Sequence, residues 1–421
     1  MLDIRTLRER EADVRRALDL RGVGVDLDAV LALDRDRRNR LTEVEQLKNQ
    51  RNTVSREIGQ LKKAGQDTAA RQTEVREMGD RIAELDRSVR EVEEKLNNAL
   101  LFIPNLPHPA VPPGHDATQN RFVRQHGTPR GFDFAPRPHW ELGERLGLFD
   151  FERGARMAGA GFPLFTGRGA RLERGLIQFM LDLHTTQHGY REIAPPYLCN
   201  TAAMTGTGQL PKLAEDMYHV PSDDLYLIPT AEVPVTNFYR EEIIRDPLPI
   251  RLTAYSACFR REAGAAGRDT RGLIRVHQFD KVELVKFVEP ETSDAELESL
   301  LADAEDVLQR LGLTYRVIEL CAGDLSFASA HTYDIELWAS AQNAWLEVSS
   351  CSHFGDFQAR RAGIRYRNKD GKVNFVHTLN GSGVALPRLL VALLENNQRA
   401  DGSVILPEAL HPWLGGLTVL D

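Results

Sequence analysis

The chain has 421 residues, of which 42% are hydrophobic and 27% are charged. This length exceeds what one ordinary hydrophobic core organises, so two or three domains are expected, and the composition excludes wholesale disorder. The formal net charge of −8, from 53 basic and 61 acidic residues, argues against binding a polyanion through bulk charge alone. Any contact with nucleic acid must therefore be local.

Four cysteines are present, and they lie too far apart in the sequence to form a CxxC metal or redox pair. The N-terminus is charged from its third residue and has no apolar signal segment. No run of about 18 apolar residues follows, which is the length a membrane-spanning helix requires. These patterns predict a cytoplasmic protein that is neither secreted nor inserted in a membrane.

The N-terminal segment, residues 1–103, is predicted to be a helical domain. Two apolar series with heptad spacing lie between Val44 and Leu96. The short Gly-containing segment 62–67 separates them, and a short turn between two matched seams favours an antiparallel hairpin of helices. An intermolecular coiled coil that mediates dimerisation is the alternative interpretation.

Prolines punctuate residues 104–138, which predicts a linker between domains. The remainder, residues 139–421, is rich in β-branched and aromatic stretches that two helices interrupt. This pattern predicts an α+β domain with a long, mainly antiparallel sheet. The predicted strands are 224–230, 251–260, 277–288, 333–338 and 345–350, and the predicted helices are 171–187, 294–311 and 387–397.

Several common catalytic signatures are absent from the sequence: GxxxxGK[ST], HExxH, GxSxG, and a GxGxxG that opens a helix after a strand. If ATP binds, another cradle must hold it. His184 and His188 stand four residues apart on the first predicted helix of this domain, but no carboxylate motif or third ligand is near them in the sequence. A surface helix face is therefore favoured over a metal site there.

Three segments carry the informative chemistry. The first, residues 189–198, joins a helix end to a proline-bearing extended stretch. The second, residues 259–279, is predicted to be two strands joined by a loop, and it brings arginines, a carboxylate and an aromatic ring to one cleft. Such groups hold a phosphate, an exocyclic amine and a flat base. The connecting loop contains Gly264, Gly267 and Gly272.

The third segment, residues 381–388, combines small residues with an arginine in the first turn of a predicted helix. Small residues let a ligand approach the backbone. A cation in the first turn opposes the helix dipole, so Arg388 implies a bound anion. Each segment alone has an ordinary explanation as a helix cap, a surface ion pair or a loop, whereas their joint occurrence in this order points to a binding site.

In this order the three segments resemble the signature motifs of class II aminoacyl-tRNA synthetases. The match narrows to the bacterial type of the seryl-tRNA synthetase family and covers essentially the whole chain. It implies an N-terminal antiparallel helical-hairpin (coiled-coil) arm and a class II synthetase-like antiparallel β-sheet catalytic domain flanked by helices. The resemblance is carried by 230–232, 259–283, 347–352, 356–361 and 377–383, and the chain departs from the family pattern at Ala322, Leu325, Ser326, Trp345 and Leu346.

The resemblance implies ATP-dependent activation of L-serine to seryl-adenylate and transfer of the seryl group to the 3′ end of tRNA(Ser). It names tRNA(Sec) as a further candidate partner, ATP as a substrate and Mg2+ as the metal. It also implies a homodimer with the first motif at the subunit contact, and no partner among DNA or membranes. Two alternatives remain: an amino-acid-activating ligase that loads a carrier protein, and a non-catalytic synthetase-like RNA-binding dimer.

Serine offers an ammonium, a hydroxyl and a carboxylate, so a selective site needs acceptors for the first two groups and a cation for the third. By resemblance, Arg260 bridges the carboxylate and the α-phosphate, and Ser382 closes on the side chain. An ordinary explanation of Glu283 is a carboxylate paired with Lys281 or Lys286 on the same strand. The remaining L-serine-binding residues implied by the resemblance are Thr230, Ala231, Glu232, Glu283 and Asn380.

For ATP, the resemblance assigns Glu262 to the adenine amine, Phe279 to stacking under the ring and Val276 to a backbone contact. Arg388 is assigned to the far phosphates. No protein nucleophile is needed, so catalysis rests on positioning and electrostatics. The other implied ATP-binding residues are Arg260, Arg261, Glu347, Val348, Ser349 and Ser350; Glu347 and Ser350 are the implied Mg2+ ligands, and Arg260, Glu347 and Arg388 are the implied catalytic residues.

The helical arm is expected to contact the RNA backbone through scattered basic side chains. The major groove of an RNA helix cannot be read by side chains, so this recognition is of shape. The alternative is that most of these side chains are solvated surface charges. The candidates are Lys48, Arg51, Arg56, Lys62 and Arg76.

Overall fold

A computed structural model describes residues 1–263 and 271–421. Gly264 and Gly267 of the predicted glycine-bearing loop lie outside the described residues. The chain divides into two compact units, one formed by Met1, Leu20–Gly22 and Asn105–Asp421, and the other by Leu2–Asp19 and Val23–Pro104. Within the described ranges, no helix is long and apolar enough to span a membrane.

The N-terminal unit is helical. Asp3 and Asp26 cap two of its helices, because each carboxylate accepts a backbone N–H of the first turn. The longest two helices have 37 and 32 residues, so each is about 50 Å long at the standard helical rise. The helices of this unit are α1 (Ile4–Glu9), α2 (Glu11–Leu20), α3 (Leu27–Lys63) and α4 (Ala69–Leu100).

Helices α3 and α4 form an antiparallel hairpin. Their ion pairs join Arg37 to Glu93 at 3.4 Å and Lys48 to Asp86 at 3.4 Å, so residue numbers rise along one helix as they fall along the other. The predicted hairpin is confirmed, and the two heptad seams pack within one chain. The buried seam residues are Val44, Val54, Ile82, Leu85, Val89, Val92 and Leu96.

The larger unit contains a main sheet of eight strands among the described residues, in the order β1-β9-β10-β11-β14-β8-β7-β2. Neighbouring strands are antiparallel except β2 and β7, which confirms the mainly antiparallel sheet. The strands are β1 (Arg121–His126), β2 (Arg191–Glu192), β3 (Leu198–Asn200), β4 (His219–Val220), β5 (Leu225–Leu227), β6 (Ile243–Ile244), β7 (Ile250–Phe259), β8 (Gln278–Val288), β9 (Tyr315–Glu319), β10 (His331–Ala339), β11 (Ala344–His353), β12 (Arg365–Arg367), β13 (Val373–Phe375), β14 (His377–Ala385), β15 (Val404–Ile405) and β16 (Val419–Leu420).

Three helices cover one face of the main sheet and share its largest hydrophobic cluster. Leu176, Leu300 and Leu390, one from each helix, are essentially inaccessible to solvent. On β8, Val282 and Leu284 point into this cluster, so Lys281 and Glu283 point to the opposite face. The helices are α5 (His139–Arg145), α6 (Phe151–Ala158), α7 (Gly167–Thr186), α8 (Thr201–Thr207), α9 (Glu232–Thr236), α10 (Ser293–Arg310), α11 (Phe357–Ala362) and α12 (Leu386–Asn396); α7, α10 and α12 are the three that cover the sheet.

The sequence analysis did not predict the central strand β14. Its glycines, serine and asparagine have low strand propensity, which is why the segment looked like a loop. A Cβ on Gly381 would lie 2.8 Å from Cys351 Sγ, and one on Gly383 would lie 2.6 Å from Nε2 of His184. Glycine is therefore needed because neighbouring elements pack closely against this strand.

Two further predictions need correction. The segment 104–138, predicted as a linker, contains strand β1, which pairs with β9 at the edge of the main sheet. The strand predicted over 224–230 extends only over Leu225–Leu227 and belongs to a small sheet with β3 and β4. Asp224 adopts a left-handed conformation with φ of 51°, which interrupts extended structure just before it.

Candidate active site

A cleft of about 670 Å³ lies on the face of the main sheet opposite α7, α10 and α12. Much of its lining comes from strands β8, β11 and β14 and from the first turn of α12. The sequence-predicted residues that line it are Thr230, Glu232, Arg260, Glu262, Val276, Phe279, Glu283, Glu347, Val348, Ser350, Asn380, Ser382 and Arg388.

Three predicted residues do not line the cleft in the described part of the chain. Ala231 is fully buried at the start of α9. Arg261 is exposed, and its backbone N–H donates to the carbonyl of Asp216 at 2.9 Å. The Ser349 hydroxyl donates to the carbonyl of Ser382 at 2.6 Å, so it supports the strand behind the cleft.

The centre of the cleft is the buried carboxylate of Glu283, whose side chain has no solvent exposure. Thr230 Oγ1 donates to Oε2 at 3.1 Å, and Asn380 Nδ2 donates to Oε1 at 3.0 Å. The ammonium of Lys281 forms an ion pair with Oε2 and also donates to Thr230 Oγ1 at 2.9 Å. The carboxylate thus has a charged partner and two hydrogen-bond donors.

Lys281 was absent from the predicted site residues. The period of two along a strand could have identified it, because residues i and i+2 share a face and Lys281 precedes Glu283 by two. Lys286, the other lysine considered as a partner, bonds Glu296 at 2.9 Å and Ser299 at 3.1 Å instead. The pairing of Glu283 with Lys281 is therefore present, and it lies inside the cleft.

A second carboxylate, Glu232, lies beside this cluster. Burial, together with the negative charge of Glu283, raises its pKa to about 7. Gln358 Nε2 donates to Glu232 Oε1 at 2.6 Å, and the Gln358 carbonyl accepts from Thr378 Oγ1 at 2.7 Å. Gln358 lies in the segment 356–361, which carries part of the family resemblance. Its hydrogen bond orients the carboxylate of Glu232.

Arg260 directly follows β7, and its position is fixed by three contacts. Its backbone N–H donates to the carbonyl of His277 at 2.9 Å, and its Nε donates to the carbonyl of Pro229 at 3.4 Å. Its guanidinium lies 5.2 Å from the centre of the Phe279 ring, within the range of a cation–π contact. A cation and an aromatic face therefore occupy the same part of the cleft.

Glu262 forms an ion pair with Arg275 at the cleft wall. Its backbone has φ of 53°, in the left-handed region that a residue other than glycine adopts at a cost in free energy. A strained residue whose carboxylate is held by a guanidinium and lines a cleft is a candidate for ligand contact.

Arg388 is the third residue of α12. Its Nη1 donates to the carbonyl of Glu347 at 2.7 Å, and its Nε donates to the carbonyl of Ile274 at 3.2 Å. The guanidinium thus connects two walls of the cleft in the first turn of a helix, where both the helix dipole and the arginine favour a bound anion.

Glu347 and Ser350 offer oxygen donors on the same wall, and the Glu347 side chain is 49% exposed. No cluster of three or more histidine, cysteine or acidic side chains suited to a metal occurs within the described residues. These two donors fit Mg2+, which binds through one or two protein oxygens and completes its shell with water and substrate phosphates. A magnesium ion here would therefore depend on a bound nucleotide.

The departures from the family pattern lie in two places. Ala322 and Leu325 are buried, and Ser326 lines the cleft. Trp345 packs edge-on against Trp338 at 5.3 Å between ring centres, under the guanidinium of Arg316. The tryptophan is therefore part of an aromatic contact between β10 and β11.

We predict that Lys281→Met lowers the free energy of unfolding by about 3–5 kcal/mol, because it leaves the buried carboxylate of Glu283 without its cation. Urea denaturation measures this loss. The double variant Lys281→Met, Glu283→Gln should recover at least half of it, and Lys372→Met, at an exposed lysine, should change stability by less than about 0.5 kcal/mol. A loss below about 1 kcal/mol in the single variant would contradict the ion pair at the centre of the cleft.

Comparison with known proteins matches both parts of the chain. Residues 1–107 match the seryl-tRNA synthetase N-terminal domain, and residues 218–397 match the tRNA synthetase class II core domain (G, H, P, S and T). The serine–tRNA ligase of Pelotomaculum thermopropionicum is 59% identical over 419 residues, which cover 99% of each chain.

Solved structures give the same assignment. Seryl-tRNA synthetase from Pyrococcus horikoshii complexed with ATP superimposes with a TM-score of 0.95 at 36% identity, over 100% of this chain and 99% of that one. The cytoplasmic serine–tRNA ligase of Naegleria fowleri in complex with AMP gives a TM-score of 0.90 at 28% identity, over 100% and 99%. The class II fold with an N-terminal helical arm, predicted from the motifs, is confirmed, and the chain belongs to the seryl-tRNA synthetase family.

Proposed function

We propose that this chain is a serine–tRNA ligase: it activates L-serine with ATP and transfers the seryl group to the 3′ end of tRNA(Ser). The observation that carries the proposal is the cluster around Glu283, which lies in one cleft with the Arg260 guanidinium and the Phe279 ring. Acceptors for an amino acid, a cation for its carboxylate and an aromatic surface for a base are all within this cleft.

Serine is recognised by groups that suit its three polar functions. The carboxylates of Glu283 and Glu232 attract the ammonium, and Thr230 and Ser382 contact the side chain. Alanine cannot form the hydrogen bonds that the site offers to the serine hydroxyl, so it is rejected by several orders of magnitude, whereas exclusion of threonine depends on the shape of the pocket. Ala231 contributes to this site only through the position of its backbone.

ATP binds with its adenine on Phe279, its amine near Glu262 and the backbone of Val276, and its far phosphates at Arg388. One carboxylate oxygen of serine attacks the α-phosphorus, the bond to the β-phosphate oxygen breaks, and pyrophosphate leaves. Arg260 lies between the carboxylate and the α-phosphate, where it stabilises the negative charge that develops. Glu347 and Ser350 would hold Mg2+, which would neutralise phosphate charge.

The RNA substrate is tRNA(Ser), with tRNA(Sec) as a second candidate, and residues 1–103 form the tRNA-binding domain. Exposed basic side chains along the α3–α4 hairpin support this proposal, Arg56, Lys62 and Arg76 among them. Charging both RNAs in parallel distinguishes the two candidates.

We further propose that the chain is a cytoplasmic homodimer with residues 189–198 at the subunit contact. The four cysteines are free and buried, as in a reducing compartment. Tyr197 and Leu198 are 37% and 40% exposed in the single chain, which leaves apolar surface for a second copy to cover. Light scattering that gives the mass of one chain would contradict the dimer.

Neither alternative drawn from the sequence is favoured. The relatives that match over their full length are named serine–tRNA ligases, and the match includes the N-terminal domain that a carrier-loading ligase has no use for. A non-catalytic RNA-binding dimer has no need of a buried Lys281–Glu283 pair in a cleft of this size.

We expect exchange of labelled pyrophosphate into ATP with serine and not with alanine, glycine, cysteine or threonine. Arg260→Ala should reduce this exchange by about a thousandfold or more, because it removes the cation at the developing charge. Arg245→Ala, at an exposed arginine outside the cleft, should retain wild-type exchange and the same circular dichroism spectrum.

Each other outcome of that assay has a defined meaning. Exchange with a different amino acid would transfer the proposal to a carrier-loading ligase, and no exchange would transfer it to a non-catalytic protein. Full exchange by a folded Arg260→Ala variant would contradict the mechanism while leaving the substrate assignment intact.

The KM for serine is expected to fall as pH rises from about 6 to about 8. Glu232 is neutral below its raised pKa of about 7 and ionised above it, and only the ionised form attracts the serine ammonium. Glu232→Gln, which stays neutral, should give a high KM that does not change over this range. A wild-type KM independent of pH would contradict this role for Glu232.

The triple variant Arg56→Gln, Lys62→Gln, Arg76→Gln is expected to exchange pyrophosphate normally but to charge tRNA(Ser) with a KM raised about tenfold or more. Each lost phosphate contact also reduces the salt dependence of tRNA binding by roughly 0.7–0.9 in the logarithmic slope. Lys369→Gln with Lys372→Gln, outside the proposed tRNA-binding domain, is the control, since both side chains are exposed. Equal charging by the triple variant would show that these side chains are solvated surface charges.

A further inference from the structure

His184 of α7 and His188, just beyond the end of that helix, connect the strand that carries Ser382 to the carboxylate of Asp306 on α10. Nε2 of His184 lies 3.0 Å from the carbonyl oxygen of Gly383. Nδ1 of His184 lies 2.9 Å from Nδ1 of His188, and Nε2 of His188 lies 3.1 Å from Oδ2 of Asp306. The four groups form a continuous line of hydrogen bonds from β14 across α7 to α10.

The groups at the two ends of this line of hydrogen bonds, a carbonyl and a carboxylate, indicate which ring nitrogens carry protons. A carbonyl oxygen only accepts, so Nε2 of His184 must carry a proton. Burial lowers the pKa of His184 to about 4, so at neutral pH its ring is uncharged and its Nδ1 accepts a hydrogen bond from Nδ1 of His188. Oδ2 of Asp306 accepts from Nε of Arg310 at 2.7 Å and lies 3.1 Å from Nε2 of His188.

His188 thus lies between a buried imidazole and a carboxylate. His184 is completely buried and the side chain of His188 is 12% exposed, so the surface helix face predicted for these two histidines is wrong. A second carboxylate, Asp303, has its Oδ1 3.9 Å from Nδ1 of His188.

The other groups that face this pair are few among the described residues. Tyr190 lies edge-on to the His184 ring at 5.8 Å and donates its hydroxyl to Asp303 at 2.9 Å. From β8, the ammonium of Lys286 lies 3.8 Å from Asp303 and forms an ion pair with that carboxylate. Asp306, at the shorter distance of 3.1 Å, is therefore the principal carboxylate partner of His188.

The carbonyl that His184 holds lies in an irregular part of β14. The pairing of β14 with β8 shifts between Ser382 and Ala385, so Gly383 falls within the shift. The preceding carbonyl, of Ser382, accepts from Ser349 Oγ at 2.6 Å. Side chains thus hold two successive carbonyls where regular strand pairing is interrupted, and Ser382 and Ala385 on either side line the cleft.

We propose that His184 is a positioning residue: with its Nε2–H bonded to the Gly383 carbonyl and its Nδ1 bonded to His188, it fixes the irregular part of β14 and so places Ser382 against serine. The inference rests on the proposed function, because the placement of Ser382 is measured by its effect on the KM for serine. The arrangement of protons itself is independent of activity.

The first test is the ring state of the two histidines, measured by 15N chemical shifts on protein labelled at histidine, with assignments from variants at each position. At pH 7 we expect His184 with a proton on Nε2 only, as its hydrogen bond to the Gly383 carbonyl requires. A proton on Nδ1 of His184 would overturn the proposal.

The second test compares His184→Gln with His184→Leu in serine-dependent pyrophosphate exchange. The Gln side chain can donate to the Gly383 carbonyl and Leu cannot, although both are close to histidine in size. We expect Leu to raise the KM for serine about tenfold, the worth of one buried hydrogen bond, with the KM for ATP nearly unchanged. Gln should remain within about threefold of the wild type.

A purely structural role gives a different result. Both variants would then lose activity in proportion to the folded fraction, with KM for serine unchanged, and this would overturn the inference while the wild-type exchange upheld the proposed function. If the wild type itself shows no serine-dependent exchange, the proposed function fails together with the role of His184 in placing Ser382.

Discussion

The cleft depends on one buried carboxylate. Glu283 lies in the middle of the main sheet with no exposed side-chain surface, where an unpaired charge would cost several kcal/mol. Lys281, Thr230 and Asn380 satisfy it, and they come from three separate parts of the chain. A carboxylate that needs partners from β8, β14 and the segment before α9 holds those elements in one arrangement. The same requirement keeps its oxygens directed into the cleft, where a substrate ammonium can reach them.

One face of the main sheet packs against helices, and the other face forms the site. On β8, Val282 and Leu284 enter the core under α7, α10 and α12, and the alternate residues form the site. The rigidity of the helical face fixes the position of the polar face, because close-packed side chains allow little movement. On β14 the packing is so close that Gly381 and Gly383 have no room for a Cβ. The composition that makes this strand look like a loop is therefore a consequence of its central position.

The sequence correctly predicted the features that depend on residues close together in the chain. Heptad spacing between Val44 and Leu96 indicated the hairpin, and Arg388 was correctly expected in the first turn of a helix. It did not predict β14, or β1 within the proline-rich segment, because each depends on contacts between residues distant in sequence. β1 is a strand only because β9 pairs with it some 190 residues later. The pairing of Lys281 with Glu283 was considered from the sequence only as an ordinary ion pair on one strand, and the bond from Lys281 to Thr230 shows that this pair belongs to the site.

The charges in the cleft suggest how a cationic substrate enters without leaving a buried excess of charge. Before serine binds, Lys281 neutralises Glu283, and Glu232, with its pKa raised to about 7 by burial and by that neighbour, carries a proton part of the time. The arriving ammonium lowers the pKa of Glu232, which then ionises and matches the added positive charge. The net charge of the cluster therefore changes little on binding. A single ionised carboxylate could bind the ammonium more tightly at the start, but a pair with one adjustable member keeps the empty cleft close to neutral and stable.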